Sequence, residues 1–283
     1  MTIDSSEPCV PIPTATGRIA LGIEFNGTGY RGWQTQQEGV PSVQLTLERA
    51  LAKIANHPVI VHAAGRTDAG VHASNMVVHF DTTATRTIQG WIRGTNTLLP
   101  PDIAVRWLHV MPEAFHARFR AIARRYHYVI LNQPYRPALL AGQVTHVYAS
   151  LDIPAMQDAA SRLLGRHDFS SFRAVACQSR QPVRHVQICQ LVQRGALLIL
   201  DIQADGFLHH MVRNIIGCLL EIGQGLQSPD WIDHLLQVKD RTQAGITAPA
   251  DGLYFVQAYY PPEFDLPKPT LGPVWLSPPI ATA

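Results

Sequence analysis

The segment Ala64-Gly65-Arg66-Thr67-Asp68-Ala69-Gly70-Val71-His72-Ala73 holds one acid, one arginine and two glycines between two strand-like stretches. Glycines permit tight turns, so the connection can hold the Asp68 carboxylate at a fixed angle. A carboxylate so held can bond transiently to an electrophilic carbon or stabilise positive charge beside it. Taken alone, the segment reads more simply as an Asx-type turn in which Asp68 accepts from nearby amides. Far along the chain, Arg213 lies in Met211-Val212-Arg213-Asn214, inside a strongly apolar run. Leaving a buried guanidinium unpaired costs about 3–5 kcal/mol, so Arg213 needs an acid. Asp68 and the nearer Asp205 are both candidates. Between these sites, Arg118, Arg120, Arg124 and Arg125 fall within eight residues, interleaved with Phe119 and followed by Tyr126. Such a cluster combines phosphate attraction with faces on which bases stack. A solvated edge strand is the plainer alternative, but the density of arginine and aromatics favours RNA.

Two other patterns lead elsewhere and are set aside. Gly27-Thr28-Gly29-Tyr30-Arg31-Gly32 matches GxGxxG, yet Trp33 to Gly39 is polar and irregular where a dinucleotide site needs a helix to begin. No nucleotide cofactor is expected. None of the 13 histidines has HxxxH or HExxH spacing, so no metal is expected either. His72, close to Asp68, is what keeps a metal reading open.

The elements that must position these groups follow from periodicity. Ile19, Leu21, Ile23 and Phe25 alternate with Ala20, Gly22 and Glu24 as in a half-buried strand. Val43, Leu47, Ala50, Leu51 and Ile54 recur at helical spacing, with Ser42 as cap and Pro58 as stop. Strands are predicted near Val59–Ala63, Asn75–Phe80 and Ile103–Val110, with a helix near Thr87–Thr97. The order β-α-β-β-α-β then returns: a strand at Arg125–Asn132 and a helix at Pro154–Leu164. Strands Arg184–Gln193 and Ala196–Ala204 follow, joined by a hairpin at Arg194-Gly195. Helices at Leu208–Gly223 and about Pro229–Val238, and a strand at Leu253–Tyr260, complete the second set. The fold class expected is α+β. Two ferredoxin-like, split β-α-β halves (residues 18–114 and 115–262) would carry antiparallel sheets with a cleft between them. Residues 1–17 read as a flexible tail and 263–283 as a C-terminal extension.

Composition fits a folded protein: of 283 residues, 46% are hydrophobic and 16% charged. No apolar run approaches a membrane span, and no basic-then-apolar leader opens the chain, so a cytoplasmic protein without a membrane partner is expected. Its four cysteines form no CxxC pair and read as reduced thiols. A net charge of +2 conceals 19 basic against 10 acidic side chains over residues 18–194. Arginine outnumbers lysine 20 to 3, which suits RNA but also follows from codon usage in a high-GC genome. Composition does not separate these readings.

Gly65-Arg66-Thr67-Asp68-Ala69-Gly70-Val71-His72 resembles the catalytic loop of the bacterial tRNA pseudouridine synthase A (TruA) family. Matching segments follow in the family's order. They are Tyr30-Arg31-Gly32-Trp33-Gln34, Phe115-His116-Ala117-Arg118-Phe119, Arg124-Arg125-Tyr126, His167-Asp168-Phe169-Ser170-Ser171-Phe172-Arg173, Met211-Val212-Arg213-Asn214 and Gly252-Leu253-Tyr254. The likeness runs from about Ile19 to Tyr260; Met76, where the family usually has glutamine, and the N-terminal tail depart from it. The resemblance implies isomerisation of uridine to pseudouridine at positions 38, 39 and 40 of the tRNA anticodon arm, by a homodimer without metal or organic cofactor. By the same resemblance Asp68 is the nucleophile, Tyr126 stacks on the target uracil and Arg213 pairs with Asp68. Leu253 lines the pocket, and Arg66 fills the space left by the flipped nucleotide. Two other classes compete. One is a non-catalytic RNA-binding module, for which no RRM signature is present. The other is a metal-dependent hydrolase centred on Asp68 and His72.

Overall fold

The computed structural model describes residues 14–175 and 177–276. Strand β1 (Thr14–Phe25) starts ahead of the boundary drawn at residue 17, and residues 1–13 of the expected tail lie outside the described residues. Helix α1 (Val43–Ala55) begins where Ser42 Oγ accepts the Leu45 N–H at 3.3 Å, and ends at Asn56 in the left-handed region. The strand expected over Val59–Ala63 contracts to β2 (His62–Ala63). By contrast β3 (His72–Thr87) far outruns Asn75–Phe80, because its distal end pairs with the start of β1, Thr87 opposite Thr14. Helix α2 (Ile88–Leu98) is capped by Thr87, and β4 (Ile103–Met111) follows.

The second set comprises β5 (Ala123–Asn132), β6 (Thr145–Val147), α3 (Ile153–Ser161), β7 (Gly165–Asp168), β8 (Val183–Arg194) and β9 (Leu197–Ala204). Helices α4 (Met211–Gly223) and α5 (Trp231–Val238) and strand β10 (Leu253–Tyr259) complete it. Strands β6 and β7 were not expected; both are too short to show a period. Helix α4 starts three residues later than its apolar pattern suggests, because His210 stands at φ 61° and interrupts the turn.

The ten strands among the described residues belong to one sheet, ordered β4-β1-β3-β10-β5-β9-β8-β7, with β2 on β3 and β6 on β5. Two sets, antiparallel apart from β6, which runs parallel to β5, meet edge to edge at a parallel seam, Tyr254 opposite His72 and Phe255 opposite Ala73. The expected pair of sheets is therefore a single sheet, and the cleft opens along the seam rather than between two sheets. Alternation along the strands divides the core. Tyr126, Tyr128, Leu200, Ile202 and Phe255 pack with the helices, while Val129, Ile199, Tyr254 and Val256 build a second core on the opposite face. Leu271, Trp275 and Leu276, from the stretch read as an extension, close that second face.

Candidate active site

A cleft of about 1190 Å³ opens across the seam, lined from the first set by the Ala64–Ala69 turn and from the second by Tyr126, Leu208–Arg213 and Leu253. The Asp68 turn is held from below by the loop whose glycines imitated a nucleotide fingerprint. Only a single 3-10 turn, Gly27–Gly29, follows β1, so no dinucleotide helix exists there. Those glycines serve contact instead. A Cβ on Gly27 would lie 2.0 Å from the Val71 carbonyl oxygen, and one on Gly32 2.8 Å from that of Thr67. Trp33 N–H donates to the Thr67 carbonyl at 3.0 Å and Gly70 N–H to that of Tyr30 at 3.3 Å. Gly70 itself takes φ 81°, open to glycine without strain.

Arg213, in the first turn of α4, reaches across the cleft to Asp68, Nη1 to Oδ2 at 3.4 Å; the side chains are 16% and 26% exposed. Its Nε donates to the Ala248 carbonyl at 2.8 Å, which fixes the fork from behind. That segment lies tight on α4, since a Cβ on Gly217 would stand 1.8 Å from the Ile246 carbonyl oxygen. Asp205, the local competitor, accepts the His185 N–H instead. Of the two acids weighed for Arg213, Asp68 is the partner. Two imidazoles join it: His209 Nε2 lies 3.3 Å from Asp68 Oδ1 and His210 Nε2 3.4 Å from Oδ2. Burial lowers the pKa of His210; Asp68 opposes this, while His209, Arg213 and Arg241 add to it.

Tyr126 lies on β5 with Phe207 and Phe255 against it edge-on, ring centroids 5.0 and 5.2 Å away. Burial pushes its phenol pKa up, so the ring stays neutral. Gly65 leaves room beside it: a Cβ there would lie 3.7 Å from the Tyr126 hydroxyl. Leu253, buried at the start of β10, and Arg66, exposed on the turn, line the same cleft. All five expected site residues therefore share one cavity.

The arginine cluster divides differently from the expectation. Arg125 is buried and forms a two-armed ion pair with Asp201, Nε to Oδ1 at 2.7 Å, on the sheet's second face. Arg124 is also turned inward, donating to the carbonyls of Ala64, Arg118, Ala121 and Asp205 and so tying the Asp68 turn to the second set of strands. Arg125 is therefore withheld from phosphate, whereas Arg124 still lines the cleft with its guanidinium engaged on carbonyls. The sequence hid this because Asp201, Ala64 and the Asp205 carbonyl lie far away along the chain. Arg31, Arg66, Arg118, Arg166 and Arg184 join Arg124 in the basic wall of the cleft. His72 also departs from its reading. Its Nδ1 accepts the Gly27 N–H at 3.0 Å, which leaves Nε2 to donate to the Asp251 carbonyl at 3.1 Å. Both nitrogens are engaged, so the metal reading through Asp68 and His72 falls. The pair missed by sequence reasoning is His209-His210; its position just before Arg213 was the available signal.

The family model for tRNA pseudouridine synthase matches residues 22–120 and 159–261. This chain belongs to that family. As a tRNA pseudouridine synthase it isomerises uridine in tRNA to pseudouridine. Relatives named tRNA pseudouridine synthase A include one from Acinetobacter baumannii, 64% identical over 92% of this chain and 98% of its own. Another, from Vibrio cholerae, is 56% identical over 92% and 98%. Among solved structures, one titled "Crystal Structure of a Cbf5-Nop10-Gar1 Complex" overlaps 84% of this chain and 48% of its own, with 10% identity and TM-score 0.35, too distant to bear on the synthase. No helix among the described residues is long and apolar enough to cross a membrane.

Proposed function

We propose that this synthase acts at positions 38, 39 and 40 of the tRNA anticodon arm, with Asp68 as the nucleophile on a flipped-out uridine. The observation that carries the reading is the meeting of Asp68 with Arg213 across one basic cleft. Isomerisation breaks N1–C1′, joins C5 to C1′ and moves a proton from C5 to N1, so one fragment must be held while the ring turns. The Asp68 carboxylate holds it covalently, and Arg213, anchored on the Ala248 carbonyl, pairs with the carboxylate and aims it. Tyr126 offers the extruded ring a face, Leu253 an apolar wall, and Arg66 occupies the vacated stack. Flipping costs a few kcal/mol, which these contacts offset.

Residues 18–114 and 115–262 act as two ferredoxin-like halves on this reading. The strand orders β4-β1-β3-β2 and β10-β5-β9-β8 support it, each repeating the same arrangement of its own four strands. The enzyme works in the cytoplasm as a homodimer, without metal or organic cofactor. Release of tritium from C5-labelled uridines in anticodon-arm tRNA, with chelator present, tests the whole reading. Wild type releases it at positions 38–40; Asp68→Asn releases none above background and binds tRNA within about threefold of wild type. Turnover by Asp68→Asn, or wild-type activity that vanishes with chelator, would sink the proposal.

A further inference from the structure

Among the described residues, Asp68, His209 and His210 form a group whose metal-ligating atoms all converge, within 4.8 Å of one another. The spacing has the scale of a coordination shell. An ion with bonds of about 2.0–2.2 Å to imidazole and carboxylate places neighbouring tetrahedral ligands roughly 3.4 Å apart. The imidazole-to-carboxylate separations are 3.3 and 3.4 Å. His209 and His210 are 40% and 29% exposed as side chains, so the remaining coordination position opens on the cleft and not on protein. Another histidine cluster lacks this aim. His79 Nδ1 takes the Ala117 N–H and His116 Nδ1 takes the Arg118 and Phe119 N–H groups, so His79, stacked on His62 and edge-on to His116, and His116 itself meet around occupied nitrogens.

We propose that Asp68, His209 and His210 bind a borderline transition ion, Zn²⁺ first, and that the bound ion blocks the enzyme. Two imidazoles with one carboxylate suit Zn²⁺, Co²⁺, Ni²⁺ and Cu²⁺, whereas Mg²⁺ prefers an all-oxygen shell and keeps its waters. The Mg²⁺ that accompanies tRNA therefore leaves the site alone. The Arg213 guanidinium, 3.4 Å from Asp68 Oδ2, opposes the incoming charge and keeps the affinity below that of a structural zinc centre. The ion takes the carboxylate that the isomerisation needs; this consequence rests on the proposed role of Asp68, while the site itself does not.

Co²⁺ titrated into the full chain reports the site through the visible bands of a tetrahedral ion, and calorimetry with Zn²⁺ gives stoichiometry and affinity. One ion per chain at micromolar concentration is expected, weakened at least tenfold by His209→Gln and by His210→Gln and unchanged in His62→Gln. Anticodon-arm tRNA should quench the Co²⁺ bands of the wild-type chain, a readout that needs no variant to fold. Zn²⁺ should stop tritium release, EDTA restore it and Mg²⁺ have no effect. Binding that survives both histidine substitutions, binding lost in His62→Gln, or no binding at micromolar ion overturns the site. Binding without inhibition upholds the site, overturns the block and counts against Asp68 as nucleophile.

Discussion

Tyr126 is buried and lines the cleft, and its ring is met edge-on by Phe207 and Phe255. If the ring serves as a platform for the extruded base, Tyr126→Ala slows conversion at least a hundredfold and weakens tRNA binding less than about fivefold. Removing a buried aromatic ring also costs about 3–5 kcal/mol of stability, so rate and affinity are compared well below the melting temperature of the variant. Equal losses in both would reassign Tyr126 to affinity alone. At this scale the sequence disclosed most where a residue broke its surroundings. Arg213 sat in an apolar run and so demanded an acid, and Asp68 supplies it. It disclosed least where charge lay on an ordinary strand. Arg124 and Arg125 looked like an RNA-facing pair, but the partners that turn them inward, Asp201 for Arg125 and the Ala64 and Asp205 carbonyls for Arg124, are distant in the chain. His209 and His210 were weighed only by metal-motif spacing, which says nothing about an acid arriving from the other set of strands.

Elements with a clean period were legible almost to the residue. Helix α1 begins at its Ser42 cap, and the β8–β9 hairpin turns at Gly195, as its sequence indicated. Strand β3 was underestimated because its distal end is a half-exposed ribbon paired with the start of β1, where polar threonines hide the alternation. The least legible relation was between elements: the Gly27–Gly32 loop matched a motif for one ligand and instead buttresses the Asp68 turn. Its glycines offer a matched pair of tests. Gly27→Ala drives a methyl group against the Val71 carbonyl oxygen, whereas a Cβ on Gly29 meets nothing within 4 Å. Gly27→Ala is expected to lower kcat at least a hundredfold and to speed amide exchange across residues 64–71, with Gly29→Ala within twofold of wild type. Equal behaviour of the two would detach this loop from the site.

For the whole molecule, acid sensitivity has an identifiable source. His79 is buried, and desolvation, aided by His116, His62 and Arg18 and opposed by Asp81, pulls its pKa down to about 3. An unfolded histidine titrates near 6.5, so between these values the unfolded chain binds the extra proton. Stability from His79 is thus complete above about 6.5 and is lost progressively toward about 3. Asp81, held below its ordinary range by its hydrogen bond to Arg18, adds a loss in the same direction at the acid end. Urea midpoints measured across this window should fall with pH, and His79→Gln should flatten the upper part of the curve; an unchanged slope would clear His79. The parallel seam has a consequence for synthesis. Strand β10 is the last of the sheet to leave the ribosome, yet the His72–Ala73 edge of β3, just after Asp68, has β10 as its neighbour there. A nascent chain can carry Asp68, Tyr126 and Arg213 and still present that edge with unpaired amides and carbonyls. Only translation through Tyr254 and Phe255 supplies the partner of that edge, so chains stopped short of them are expected to leave the segment after Asp68 unbraced.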